Sequence, residues 1–162
     1  MQYTLVRNIF SRSNRFEISD IHQQRMCKVA KESGGLFSSI FSLDGEKMRA
    51  PIKIKKHYKG LKINYTFFEG GDPVAVLTRK FKWLRSHFIL TFSDGSIFKI
   101  ESDTWRKNYT FLDGEEVVAK LKRLSLQMQR TYELTCLEMR HHEVLMASVV
   151  ALDQIFDQDN SG

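Results

Sequence analysis

The sequence predicts a single, mostly antiparallel β domain wrapped around one apolar C-terminal helix. Two patterns lead to this prediction. Short strand-like segments are separated by turn dipeptides along most of the chain, and a segment near the C-terminus is apolar on almost every side. The length of 162 residues is typical of one domain. We place that domain at residues 1–157 and expect the polar tail, 158–162, to fray.

Tight-turn residues mark where the predicted strands end. Asp-Gly pairs begin at Asp44, Asp94 and Asp113, and a Gly-Gly pair begins at Gly70. Glycine supplies the positive φ that tight hairpins require, and aspartate can bond its own backbone. Between turns, segments such as 52–55 alternate apolar and charged side chains, as a strand with one buried face does. Short strands with frequent turns predict an all-β sandwich or barrel.

The chain also contains an internal repeat. Residues 62–91 align without gaps on residues 106–135, and both copies contain Asn-Tyr-Thr-Phe, then Gly, Val-Ala and Leu-x-Arg. A shorter pattern, in which Leu-x-Arg precedes an aromatic residue by eight residues, begins at Leu5, Leu77 and Leu121. Each copy fits a strand, a turn and a returning strand. We favour a structural role for the repeated arginines, packed on the sheet and bonded to a neighbouring turn, over a ligand-binding role.

The C-terminal segment 143–156 contains neither glycine nor proline. It is apolar around nearly its whole circumference from Val144 to Leu152, and a helix that is apolar on all sides is buried on all sides. About 14 residues at 1.5 Å each give a length of roughly 21 Å, which is short of the ~30 Å hydrocarbon core of a bilayer. The segment therefore predicts a helix inside the domain. The β-branched pair Val149 and Val150 keeps a fully buried strand as the alternative.

Asp-Gly hairpins followed by the apolar segment 149–155 resemble the tubby C-terminal-like superfamily, and more narrowly the LURP-one-related proteins and their scramblase-like relatives. Residues 16–20 resemble the first hairpin of the family, although residues 21–24 lack the glycine that is usual in its turn. The resemblance covers nearly the whole chain. It implies a closed antiparallel β-barrel of about twelve strands around a central helix.

For function, the resemblance implies less. Tubby domains bind phosphoinositides through basic surface residues, and scramblases act at membranes, whereas most LURP-one-related proteins have no established activity. The cysteine- and proline-rich leader and the acidic calcium loop of scramblases are absent from this sequence. Scrambling activity is therefore not expected.

The sequence contains none of the usual catalytic or nucleotide-binding motifs, so we expect a protein that is not an enzyme and has no cofactor. His141-His142-Glu143 is the densest group of metal-ligand residue types. Adjacent histidines point in different directions, so we expect a solvated helix start there and no metal site.

Cysteine usage and the lack of export signals suggest a location. Cys27 and Cys136 are far apart in sequence and lack CxxC spacing, which fits free thiols in a reducing compartment. The N-terminal residues lack the apolar stretch of a secretory leader, and no run of about 18 apolar residues could span a membrane. The expected location is cytoplasmic.

Two segments carry dense positive charge in a chain whose net charge is +6. Segment 53–62 contains five lysines, and segment 79–85 interleaves four cations with Phe81 and Trp83. Aromatic rings among cations suit a membrane interface or stacking on single-stranded bases. The candidate anion-binding residues are Lys53, Lys55, Lys56, Lys59, Lys62, Arg79, Lys80, Lys82 and Arg85.

These segments predict a non-enzymatic binding module whose partner is an anionic membrane surface or a phosphoinositide, with the protein peripheral to the membrane. Three alternatives remain open. The same residues could bind nucleic acid, the two segments could be solvated hairpins with core-facing aromatics, or a barrel cavity could serve a small-ligand carrier or enzyme. A helix threaded through the barrel would leave such a carrier no room.

Overall fold

The structure, a computed structural model, describes residues 1–161 except 9, 12–13, 34–39, 61, 83–84 and 127–128. These described residues form twelve strands and one helix. The strands are β1 (Gln2–Arg7), β2 (Asn14–Asp20), β3 (Arg25–Ser33), β4 (Ile40–Asp44), β5 (Ile52–Lys59), β6 (Lys62–Glu69), β7 (Asp72–Lys82), β8 (Arg85–Phe92), β9 (Ile97–Ser102), β10 (Asn108–Asp113), β11 (Glu116–Leu126) and β12 (Gln129–Cys136). The helix is α1 (His142–Asn160).

The strands close into one antiparallel barrel. Each strand pairs with its neighbours in the chain, and β1 pairs with β12 to complete the ring. All connections are therefore hairpins that run up and down around the barrel. The mainly β fold, the closure of the barrel and the number of strands agree with the sequence prediction.

Strand alternation sorts the side chains between the barrel interior and its outer surface. In β5, Ile52 and Ile54 are fully buried, whereas Lys53 and Lys55 are exposed. Aromatic residues such as Phe67 fill the interior from the neighbouring strands. Burial of each such side chain stabilises the fold by about 1.5–3 kcal/mol. A register slip of one residue in β5 would lose this energy, because it would bury the lysines and expose the isoleucines.

The internal repeat corresponds to a repeated piece of structure. The first copy covers β6, β7 and most of β8, and the second covers β10, β11 and most of β12. Each copy has a register shift at the same place, after Phe67 in β6 and after Phe111 in β10. The turns that follow place Gly70 and Gly114 at φ of 57° and 62°, where a side chain would be strained. The repeat is therefore a bulged hairpin used twice.

The helix α1 occupies the barrel interior. Its side chains from Glu143 to Asp153 are buried without interruption, so every side of the helix faces protein. It also bonds residues spread around the ring, from Arg7 in β1 to Arg79 in β7 and Arg130 in β12. The central helix that the apolar segment predicts is therefore present, and the alternative of a buried strand is wrong.

The helix extends past the expected end of the domain. It continues through Asn160, although the sequence places a frayed tail at 158–162. Asp159 pairs with Arg79 and Arg106 in this last stretch. These ion pairs, which connect a polar helix end to the barrel wall, were not visible in the pattern of apolar residues. The described part of the chain contains no helix with the length and hydropathy of a membrane span.

Candidate functional site

The up-and-down connectivity gives the barrel two different ends. At the end where α1 begins, called here the N-cap end, lie the turns that follow β2, β4, β6, β8 and β10. At the end where α1 terminates, the C-cap end, lie the turns that follow β1, β3, β5, β7, β9 and β11. Contacts of α1 confirm this assignment, because His141 meets Asp94 in the turn after β8 and Asp159 meets Arg106 in the turn after β9.

The two ends carry opposite charge. Acidic residues dominate in and beside the N-cap turns, and they include Asp20, Asp44, Glu46, Glu69, Asp72, Asp94, Asp113, Glu115, Glu116 and Glu138, against Arg25, Lys47, Arg49 and Arg140. Basic residues dominate at the C-cap end, and they include Arg7, Arg15, Lys31, Lys59, Lys62, Arg79, Lys80, Arg106, Lys107, Lys122, Arg123 and Arg130, against Glu32, Glu101, Asp103, Asp157 and Asp159. The barrel is thus electrostatically polarised along its axis, with the C-cap end as its basic end.

Part of the positive charge at the C-cap end holds the helix in place. Asp153, which is fully buried, accepts hydrogen bonds from Arg130 at 2.7 Å and from the Tyr132 hydroxyl at 2.6 Å. Arg7 lies 3.1 Å from the same carboxylate and 2.5 Å from that of Asp157. Arg130 also donates to Asp157 at 2.7 Å. Two arginines and one tyrosine of the barrel wall therefore bind two carboxylates of α1 through hydrogen bonds and ion pairs.

A second set of contacts joins arginines of the barrel to the last two turns of the helix. Arg79 makes a two-pronged contact with Asp159, at 2.9 and 2.8 Å, and Arg106 bonds the same carboxylate. The guanidinium carbon of Arg123 lies 3.8 Å from the ring centroid of Phe156, a cation–π contact. We call these contacts, together with those of Asp153 and Asp157, the helix clasp.

The helix clasp explains the arginines of the repeated Leu-x-Arg pattern. Arg7, Arg79 and Arg123 point inward because each follows a buried leucine by two positions. Arg123 also donates to the backbone oxygen of Trp105 in a neighbouring turn, at 3.5 Å, as the sequence suggests. Arg7 and Arg79 differ from the expectation because their partners are helix carboxylates. All three arginines therefore have structural partners in the fold.

Electrostatics in the clasp favour the ionised carboxylates. Burial alone would raise the pKa of Asp157, but hydrogen bonds from Arg130 and Arg7 outweigh it and hold the pKa below its usual value. Asp159 behaves in the same way: burial would raise its pKa, and the bonds from Arg79 and Arg106 lower it. Asp157 and Asp159 are therefore ionised and paired with arginines at neutral pH.

Four lysines form a group on the outer wall, three at the C-cap end and Lys55 nearer the middle of its strand. Lys55, Lys59 and Lys62 lie on β5 and β6, and Lys80 lies on the adjoining strand β7. All four side chains are exposed. Lys59 and Lys62 are directly paired across the hairpin, and they flank a shallow groove that Asn64 and Thr78 complete. These four residues, called here the lysine patch, could hold phosphate groups at an open surface.

The structure divides the other predicted anion-binding residues. Lys56 is buried and faces the interior, with its ammonium group 5.3 Å from the centroid of the Tyr58 ring. Arg79 is committed to the helix clasp, and Lys53 pairs with Glu32 at 3.2 Å. The side chains of Lys82 and Arg85, and the whole of Trp83, lie outside the described part of the structure. Anion binding by the predicted set stays a prediction, and the lysine patch is its exposed and described part.

The N-cap end differs from its prediction. Glu143 is buried, with 7% of its surface exposed, and accepts a hydrogen bond from the Arg49 backbone at 2.9 Å. His141 stacks on Phe92 at a centroid distance of 3.9 Å and lies 3.0 Å from the carboxylate of Asp94. The expected solvated helix start is therefore wrong, because the strand ends wrap around it.

A pocket of about 350 Å³ opens beside this helix start, between Arg49, Arg140 and His142. Its cations face nearby carboxylates, since Arg49 bonds Glu69 at 2.6 Å and Arg140 bonds Asp113 at 3.0 Å. Among the described residues, no three metal-ligating side chains come together. The cations of this pocket are therefore paired, whereas no ion pair of the lysine patch is found among the residues that the structure describes.

Sequence reasoning missed most of the clasp, although one signal was available. Asp153 and Asp157 are four residues apart and so lie on one face of α1. A carboxylate within an otherwise buried helix needs a cationic partner. That argument would have required a buried arginine from the barrel wall, but it could not have said which one.

Comparisons with known proteins agree with the barrel and add little on function. The sequence model of a family described as LURP-one-related matches residues 1–153. An uncharacterized protein of Bacillus subtilis (strain 168), YxjI, is 24% identical over 157 residues, which cover 96% of this chain and 94% of that protein. No solved structure matches the chain significantly.

Proposed function

From the premise that the chain belongs to the LURP-one-related family of the tubby-like superfamily, we propose that it is a non-enzymatic module that binds anionic phospholipid headgroups. The observation that carries this proposal is the lysine patch, a group of exposed cations on adjoining strands at the basic end of the barrel. In this proposal the protein is cytoplasmic and associates with the membrane from its surface.

Solvent-exposed lysines are sufficient for electrostatic binding to anionic headgroups. Each lysine close to an anionic membrane contributes about 1 kcal/mol, and salt screens the contribution. Four acting together give about 4 kcal/mol before the cost of association, so binding should be weak, reversible and sensitive to ionic strength. No deep pocket is needed, which fits the shallow groove beside Lys59 and Lys62.

The filled barrel argues against a carrier or an enzyme that works in the lumen. Val149 and Val150, at the middle of α1, are fully buried, as are the wall residues Phe67 and Phe111. A ligand would have to displace the helix to enter. Binding on the outer surface is the mode that this packing favours.

The proposal is tested by sedimentation with vesicles that contain phosphatidylserine or a phosphoinositide, at low and at physiological salt. The variant Lys55/Lys59/Lys62/Lys80→Gln should lose most of the binding while keeping the wild-type circular dichroism spectrum. A matched control, Arg25/Lys28/Lys47/Lys120→Gln, removes the same number of exposed positive charges from other parts of the barrel. It should bind nearly as well as wild type.

Two results would contradict the proposal. Wild-type protein that ignores anionic vesicles even at low salt has no lipid-binding surface. Equal loss in both variants would mean that net charge, and not the lysine patch, attracts the membrane. A parallel gel-shift measurement with single-stranded RNA and DNA assigns the patch to nucleic acid instead if only those polymers bind.

A further inference from the structure

Three large aromatic side chains are exposed at the C-cap end. Phe10, in the turn after β1, is 81% exposed, and Trp105, in the turn after β9, is 77% exposed. Tyr58, at the end of β5, is 46% exposed. Aromatic rings carry large apolar surfaces that folding normally buries. Three of them in separate turns of one barrel end mark a candidate contact surface.

The three aromatics are evenly spaced around the ring. They belong to the β1–β2, β5–β6 and β9–β10 hairpins, which are four strands apart in a ring of twelve. Twelve strands about 4.8 Å apart and tilted by about 40° form a ring of roughly 12 Å radius. Points one third of the ring apart are then about 20 Å from each other. Such a tripod suits a broad, flat partner.

The turns that carry Phe10 and Trp105 are preformed. The backbone N–H of Phe10 donates to the side chain of Asn8 at 3.1 Å. Beside Trp105, Asp103 accepts a hydrogen bond from the Lys107 backbone at 2.8 Å. Neighbouring Arg106 is bound to Asp159 at the end of α1, so the helix clasp also fixes the turn of Trp105. These contacts lower the entropic cost of presenting the rings to a partner.

Cations accompany the aromatic rings. Lys59 and Lys62 adjoin Tyr58 on the hairpin, and Lys107 is close in sequence to Trp105. All three lysines are exposed. Aromatic side chains at the headgroup level with lysines around them form the usual pattern of an interfacial membrane contact.

The opposite end has apolar residues but the wrong charge for the same partner. Its exposed apolar side chains are Met1, Ile21, Ile97, Leu137 and Met139. They are aliphatic and lie among the acidic N-cap turns, which an anionic surface would repel. Charge complementarity therefore selects the C-cap end.

We propose that the C-cap end is the membrane-facing end of the protein and that Phe10, Tyr58 and Trp105 enter the headgroup region of an anionic bilayer while the lysine patch contacts the headgroups beside them. This inference rests on the proposed lipid binding and adds to it an orientation and an apolar anchor. Because aromatic burial is not screened by salt, part of the binding survives at high ionic strength.

The test uses Trp105 as its own reporter. In a Trp83→Phe background Trp105 is the sole tryptophan. Its emission should shift to shorter wavelength on vesicles of equal parts phosphatidylcholine and phosphatidylserine, and lipids with a quencher on the upper acyl chain should quench it. In high salt, Phe10→Ser and Trp105→Ser should each weaken partitioning by about tenfold, as expected for the loss of one buried aromatic ring. The control variants Ile97→Ser and Leu137→Ser, at the opposite end, should bind as wild type.

The outcomes separate this inference from the proposed function. If wild-type protein binds the vesicles but Trp105 is neither shifted nor quenched, and both serine variants bind normally, the orientation is overturned and the lipid binding stands. If wild-type protein does not bind at all, both are overturned. If the protein instead forms salt-sensitive chains without lipid, and Trp105→Ser abolishes them, the basic end docks on the acidic end of another copy and the membrane orientation is overturned.

Discussion

The replacement Asp153→Ala tests whether the helix clasp holds α1 in the barrel. Asp153 is fully buried and touches Arg7, Arg130 and Tyr132. Its removal leaves the Tyr132 hydroxyl without its acceptor and leaves Arg7 and Arg130 with Asp157 as their remaining carboxylate partner. Breaking a buried ion pair from one side costs about 3–5 kcal/mol. A domain of this size is stable by only about 5–15 kcal/mol, so the variant should lose a large share of its stability.

Two further variants provide smaller expected losses of stability for comparison. Asp153→Asn keeps an acceptor for the Tyr132 hydroxyl but removes the charge, so its loss should be smaller than that of the alanine variant. Asp159→Ala breaks pairs whose carboxylate side chain is 29% exposed, where solvent reduces the energy to about 1 kcal/mol or less. Urea unfolding followed by circular dichroism at neutral pH measures all three. A smaller loss for Asp153→Ala than for Asp159→Ala would refute the reasoning.

The clasp should also respond to acid in a defined range. The folded protein holds the pKa values of Asp157 and Asp159 below the ordinary value of an aspartate side chain. Carboxylates with a lowered folded pKa contribute stability that is complete above their unfolded pKa and is lost as pH falls through the folded pKa. This contribution should be constant from neutral pH down to about pH 5 and then fall below about pH 4. Thermal melts across this range, compared with Asp157/Asp159→Asn, measure it; an equally steep decline in the double variant would contradict the assignment.

Three further predictions concern the packing. Val149→Asp places an unpaired charge in the fully buried middle of α1 and should abolish folding; a soluble variant with the wild-type Tm would exclude a central helix. Gly45→Ala should destabilise much more than Gly114→Ala, because a Cβ at residue 45 would lie 2.0 Å from a backbone oxygen, whereas at residue 114 it meets open space and only a strained φ; urea midpoints decide the order. Burial raises the pKa of Cys27 to about 12 and that of Cys136 to about 11, so both thiols should resist a thiolate-specific reagent at pH 8 in the native protein and react at once in denaturant.

The strands, the turns and the helix could be predicted from the sequence because each of them follows from a pattern of neighbouring residues. Alternation in segment 52–55 assigns the faces of β5, and the glycine turns delimit the hairpins. The run from Val144 to Leu152, apolar except for Ser148, predicts a helix with protein on all sides, although it did not exclude a buried strand. Closure into a twelve-stranded ring was implied by the resemblance, because a local pattern does not tell a barrel from a sandwich.

The candidate site could be predicted only in part, because charge density in sequence ignores the direction of side chains. Lys55 and Lys56 are adjacent, and alternation sends one to solvent and the other into the barrel. Arg79 belongs to a basic segment, yet its partner Asp159 is separated from it by 80 residues. Phe10 and Trp105 were overlooked because a single aromatic residue in a turn does not predict a contact surface. Their relation is visible only once the fold places their turns at the same end of the barrel.

The charge asymmetry of the barrel follows from its connectivity. In an up-and-down ring, turns of the same parity share an end, and the Asp-Gly turns at Asp44, Asp94 and Asp113 all follow even-numbered strands. Aspartate is favoured there by turn chemistry, so the N-cap end becomes acidic for a local reason. The Leu-x-Arg motifs all lie in the second half of odd-numbered strands, β1, β7 and β11, so their arginines collect towards the other end. Because the two copies of the internal repeat are offset by four strands, an even number, each copy adds to the same polarity. The carboxylates in the C-terminal half of α1 then pair with the inward arginines, and the outward lysines are the cations that the proposed function places against lipid headgroups.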